Sequence, residues 1–139
     1  MSQPERQLLP PQFIPSWVKG VVFLAALLLG AGAIIAFLHP AMLVDPQADI
    51  TPAVRTYAGY LTARNLVLAL MLLVLMQDAA TRALGNLLAI VGLIQVMDCA
   101  VDCIQARWTV APGVLILAGL FLSAATRLCG PLWRKGAWM

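Results

Sequence analysis

Four apolar runs take up most of this chain, each about as long as a helix must be to cross the roughly 30 Å hydrocarbon core of a bilayer. They fall at 17–38, 55–76, 83–105 and 108–128. A run of this length has one stable form in lipid, because hydrocarbon offers backbone N–H and C=O groups no partner outside the helix itself. The predicted fold class is therefore all-α: an integral membrane four-helix bundle, antiparallel and up-down-up-down. Only 11% of the residues are charged and 62% are hydrophobic, whereas soluble domains carry about 25% charged residues. In 139 residues, four spans are expected to leave little for a soluble catalytic domain.

Between the runs the punctuation is local. Residues 1–16 hold four prolines among polar side chains and are expected to lie as a surface tail. The run at 17–38 is about twice the length of a signal-peptide core, so it reads as a retained span even though GAGA at 30–33 offers small residues for cleavage. His39-Pro40 ends it, and 40–51 forms the one substantial loop, with Asp45-Pro46 inside it. Thr51-Pro52 is a helix start, threonine capping free amides and proline suiting the first turn. A short polar turn at 77–82 joins the second and third helices, and 129–139 is a basic and aromatic tail. Arg6, Lys19, Arg82, Arg127, Arg134 and Lys135 fall on one side of such a bundle, and Arg55 and Arg107 on the other. That bias predicts a cell (inner) membrane protein with both termini cytoplasmic, Trp17, Trp133 and Trp138 at the inner interface and Tyr57 and Trp108 at the outer one.

The same distribution argues against nucleic acid as a partner, since the net charge of +3 is spread around apolar segments and gathers on no single face. Cys99, Cys103, Cys129 and the single His39 do not make a metal-ligand pattern. Neither a nucleotide loop nor a nucleophile with a histidine base is present, so no cofactor is expected.

Polar groups at bilayer depth carry the remaining information. An ionisable side chain there costs about 2.5 to 3.5 kcal/mol on insertion scales and survives by facing protein, water or a partner. On the second helix Tyr57, Tyr60 and Arg64 share a face (i, i+3, i+7); on the third, Gln95, Asp98 and Asp102 repeat that spacing. Counting inward from the helix ends puts Arg64 and Asp98 level, both roughly 10 Å below the outer boundary. An Arg64 to Asp98 pair is therefore expected, sealed from lipid, with Asp102 above it near Tyr60 and Tyr57. One guanidinium cannot fully neutralise two carboxylates, so one aspartate is expected to keep its proton. A structural ion pair between two helices and a working site both stay open.

Asn65 lies about 100° round the helix from Arg64, a position for packing or a supporting hydrogen bond. Cys99 and Cys103, four apart, are poorly placed for a disulfide and read as small buried side chains, with a redox pair the competing reading. His39 reads as a helix-terminus group. Gly30, Gly32, Gly113 and Gly119 are expected at close helix contacts.

LHPAMLVDP (38–46), YLTARNLVLAL (60–70) and IQVMDCAVD (94–102) together resemble the small four-helix membrane proteins of the DoxX-like group, and within it most nearly a bacterial and fungal family catalogued as a domain of unknown function. The resemblance covers roughly 17–128. It implies the four-helix topology and a polar centre at Arg64 and Asp98, and, because some DoxX-like proteins are subunits of quinone-linked oxidoreductases, a quinone or other isoprenoid as ligand. Three functions compete. The first is binding of a lipophilic molecule (quinone, sterol-like or terpenoid) through Arg64, Asp98, Asp102, Tyr60, Tyr57, Asn65 and Gln95, as an accessory subunit beside a partner membrane protein or a second copy. The second is a cofactor-independent isomerase, cyclase or epoxide-opening enzyme with Asp98 or Asp102 as general acid or base and Arg64 and Tyr60 orienting the substrate oxygen. Ranked below is a proton-coupled transporter, since the first helix lacks the acid such exporters carry there. A plain scaffold would tolerate charge-conserving swaps of Arg64 and Asp98.

Overall fold

The structure, a computed structural model, describes residues 13–44 and 49–130. Asp45-Pro46, Arg6 and the 131–139 segment with Trp133, Arg134, Lys135 and Trp138 lie outside the described residues. Helix α1 spans Ser16–Leu38, α2 Pro52–Gln77, α3 Thr81–Ile104 and α4 Ala111–Cys129, with a short 3-10 helix at Pro40–Leu43 between α1 and α2. All four long helices are long and apolar enough to cross a membrane. Up-down-up-down order gives the bundle a terminal end, where α1 starts, α4 stops and α2 turns into α3, and an opposite loop end.

The start of α2 follows its local chemistry. Thr51 is the N-cap, its hydroxyl accepting from the Val54 N–H at 3.3 Å, and Pro52 opens the helix. The cap sets the helix start at 52, three residues before the apolar run. Helix α4 begins three residues later than its apolar run does, because the N–H groups of Val110 and Ala111 both bond to the Arg107 carbonyl in a turn that precedes it. Pro112 sits in its first turn, where no intrahelical donor is lost.

Helices α2 and α3 end in the same way. After α2, Ala79 takes φ 51°, its N–H bonding to the Met76 carbonyl while that of Ala80 reaches back to Leu75. After α3, Ala106 takes φ 57°, with Ala106 N–H to Cys103 and Arg107 N–H to Asp102 at 2.8 Å. These paired bonds are Schellman closures, normally built on glycine because a β-carbon in the left-handed region costs about 1–2 kcal/mol. Ala79→Gly and Ala106→Gly are each expected to stabilise the fold by about 0.5–1 kcal/mol, the relief of strain exceeding the added unfolded-chain entropy. Reversible unfolding in mixed micelles checks this.

Packing divides the bundle into two hairpins. Helix α1 lies closely along α2, and α3 along α4, while α2 with α3 and α1 with α4 meet more sparsely. The core that joins the hairpins sits in the terminal half, on Val18, Val22, Leu72, Leu84, Leu88 and Phe121. Toward the loop end the buried residues are small, Ala33, Ala36, Ala58 and Ala111, and serve contacts within a hairpin. Thr62 ties the first hairpin, its hydroxyl directed at the Ala58 carbonyl (2.8 Å) and across to Ala33 (3.2 Å). Large apolar side chains such as Phe23, Leu27, Phe37, Leu93 and Ile116 point outward, as lipid-facing residues do.

The close helix approaches are made largely by other glycines than those expected. Gly30, Gly113 and Gly119 face open space. Gly85 is pressed by Leu128 and Cys129, and Gly92 by Leu122, so α3 supplies the flat surface on which α4 rests. Of the expected four, Gly32 alone makes a close contact: a β-carbon there would stand 3.2 Å from the Asn65 amide nitrogen.

Candidate functional site

Where the terminal core stops, a cavity of about 200 Å³ opens between the hairpins. Its floor is Ala25, Val91 and the fully buried Phe121; its polar wall is Arg64 and Asn65 from α2 with Gln95 and Asp98 from α3. Three side chains singled out by helical spacing, Arg64, Gln95 and Asp98, thus converge on one space, with Asn65 beside them. Arg64 and Asp98 are level, as the count along each helix predicts, with Nη2 and Oδ2 4.0 Å apart.

Asn65 is the best-anchored member. It is buried (8% exposed), seated in the gap that Gly32 leaves on α1, and its Oδ1 accepts from Arg64 Nε at 3.4 Å. The 100° offset from Arg64 that suggested a supporting role puts it against α1, from where it steers the guanidinium toward α3.

Asp102 does not join this group. Its carboxylate faces Arg107 Nη1 at 3.5 Å and is only 13% exposed. The cause is the Schellman closure at Ala106, which folds the chain back so that Arg107 returns over the last turn of α3. With a cation of its own, Asp102 has no need of Arg64, and the expected cluster of one guanidinium and two carboxylates resolves into two separate pairs. Tyr57 and Tyr60 do not line the cavity either: both are exposed and form a shallow crevice that shares Leu61 and Arg64 with it. Nor is the Arg64 to Asp98 pair sealed. Their side chains are 43% and 45% exposed, because the hairpins meet closely only below them.

Cys99 and Cys103 are free thiols. Cys99 Sγ donates weakly to the Ala111 carbonyl at 3.4 Å, bridging α3 to the start of α4, and neither cysteine lines the cavity. His39 caps α1 through its backbone, its N–H bonding to Ile35 at 2.8 Å.

Chemically, the wall is a donor-acceptor pair held apart. At 4.0 Å the ion pair is too long for a hydrogen bond, which needs about 2.7–3.2 Å. One oxygen atom can lie about 2.8 Å from both Nη2 and Oδ2, accepting from the first and donating to the second. The Gln95 amide adds a donor and an acceptor beside it, while the Asn65 amide is turned to Arg64 and to the gap at Gly32. In volume the cavity suits a six-membered ring, since one of about 150 Å³ holds benzene, and it falls short of the roughly 300–1,000 Å³ of pockets that engulf a whole ligand. Comparison with protein-family models, with curated proteins and with solved structures gives no match.

Proposed function

We propose that this protein binds a lipophilic molecule by its hydroxyl-bearing head, of hydroquinone, sterol-like or terpenoid-alcohol type, with the head between Arg64 and Asp98 and the apolar remainder lying in lipid along α2 and α3. The observation that carries this reading is the 4.0 Å gap between two half-exposed opposite charges at the mouth of a ring-sized cavity. In a bilayer, charges left that exposed are costly, and a hydroxyl bridging them satisfies both. Phe121 and Val91 supply the apolar floor that a ring requires.

An enzymatic reading draws less support. Of the two carboxyls such a reaction would use, Asp98 alone lines the cavity, and Asp102 is turned to Arg107. The reading is tested on protein purified in nanodiscs, by native mass spectrometry of retained lipids and by titration with a hydroquinone, a sterol and a terpenoid alcohol. A retained or titrated ligand of this class, lost in Asn65→Leu, is the expected result. An extract holding phospholipid alone, with no saturable binding of any of the three, overturns it. Orientation enters the same proposal: with the terminal end cytoplasmic, as the Lys and Arg bias suggests, the cavity faces the outer leaflet.

A further inference from the structure

At the terminal end, on the opposite half of the bundle from the first cavity, a second one of about 350 Å³ is bounded by Phe13, Pro15, Thr81, Arg82, Arg127 and Cys129. Two features of it are unexplained by packing. Arg82 is the second residue of α3, whose first turn holds no acid and no side-chain cap. The exposed Arg82 faces the positive end of the helix dipole, a place that an anion lying between the two makes favourable. Thr81, only 6% exposed, lines the same cavity, and among the described residues its hydroxyl makes no hydrogen bond. Arg127 approaches from α4, and among the described residues neither arginine has an acidic partner. Cys129 holds the walls in register: it rests on Gly85, and its one S–H faces both the Arg82 carbonyl and Asn86 Oδ1, each at 3.3 Å.

We infer that this cavity binds a phosphate group, delivered by the headgroup of an anionic phospholipid. The N–H groups of Arg82 and Ala83 in the first turn, the Thr81 hydroxyl and two guanidinium forks form a donor set for phosphate oxygens. At the boundary of a membrane-spanning helix, lipid phosphates are the anions present at the right height. Phe13 and Pro15 offer an apolar side to the glycerol and first acyl carbons. The site is independent of the upper cavity.

The test uses the full chain in detergent micelles, titrated with phosphatidylglycerol, phosphatidylcholine or inorganic phosphate, with the thermal midpoint as readout. Phosphatidylglycerol is expected to raise the midpoint saturably and phosphatidylcholine not to. Arg82→Gln/Arg127→Gln is expected to weaken the apparent affinity about 30-fold and each single change about fivefold, whereas Arg82→Lys/Arg127→Lys keeps most of it and Arg55→Gln at the far end keeps all of it. The single changes decide the matter should the double variant fail to fold. Protection by inorganic phosphate that competes with the lipid and is lost in the same variants supports the phosphate site with a free ion as its source. Equal protection by both lipids, or protection by phosphatidylglycerol that the glutamine variants leave unchanged, overturns the inference.

Discussion

Replacing Arg64 with leucine is expected to weaken ligand binding at least about 30-fold and to destabilise the protein by about 2–3 kcal/mol. The two effects have different origins, which separates a binding site from a structural ion pair. The stability loss comes from Asp98, left as a lone carboxylate at bilayer depth. Adding Asp98→Asn removes that charge, so Arg64→Leu/Asp98→Asn should recover stability to within about 1 kcal/mol of the parent. Binding should not recover, because neither the guanidinium donor nor the carboxylate acceptor remains. The exchange Arg64→Asp/Asp98→Arg divides the readings again. A scaffold keeps its function after the swap, whereas the proposed site loses it, since Arg64 is oriented by Asn65 and an arginine on α3 has no such support. Reversible unfolding in mixed micelles and a saturation binding isotherm on each variant provide the two readouts.

The second large effect is steric. Gly85→Leu is expected to destabilise by about 2–3 kcal/mol, because even its first carbon meets Leu128 Cβ at 2.9 Å and the Cys129 sulfur, with the Ala125 carbonyl at 3.4 Å behind them. Backbone on that side leaves α4 no room to yield, so the hairpin must open. Gly92→Leu should cost somewhat less, since most of its neighbours are the flexible end of Leu122. Gly119→Ala, facing open space, should be neutral or stabilising by up to about 1 kcal/mol. Equal costs at Gly85 and Gly119 would contradict the packing described for α3 and α4.

Much of the architecture was legible because the bilayer imposes it. Apolar length set the four helices, and the Thr51-Pro52 cap set the start of α2. Matching depth brought Arg64 opposite Asp98, since a fixed rise of about 1.5 Å per residue converts position along each helix into height. Rotation about the helix axis was legible for Gln95 and Asp98 and for Asn65, but not for the tyrosines. Tyr57 and Tyr60 share a face with Arg64, yet a guanidinium on a long flexible stem can turn inward from an edge where a rigid ring points outward. Asp102 was misplaced for another reason: its partner comes from beyond the helix. The signal lay in the sequence, since a Schellman closure sets the residue two past the C-cap over the third from the end, here Arg107 over Asp102. It was obscured because alanine, not glycine, marks the turn. The choice of Gly30, Gly113 and Gly119 as helix contacts failed, because whether a glycine faces a neighbour depends on which hairpin partner lies beside it. That pairing, α1 with α2 and α3 with α4, is not written in any one segment.

Lipidic-mesophase crystals of the protein grown with its retained or titrated ligand give the most direct test of the central claim, through the electron density above Phe121. A ring-sized feature is expected on that floor with one oxygen within hydrogen-bond distance of both the Arg64 guanidinium and the Asp98 carboxylate, and an apolar tail leaving between α2 and α3. Acyl-chain density running past a cavity that holds no head group, or an Arg64 to Asp98 pair closed to direct hydrogen-bond contact with nothing between, would contradict it.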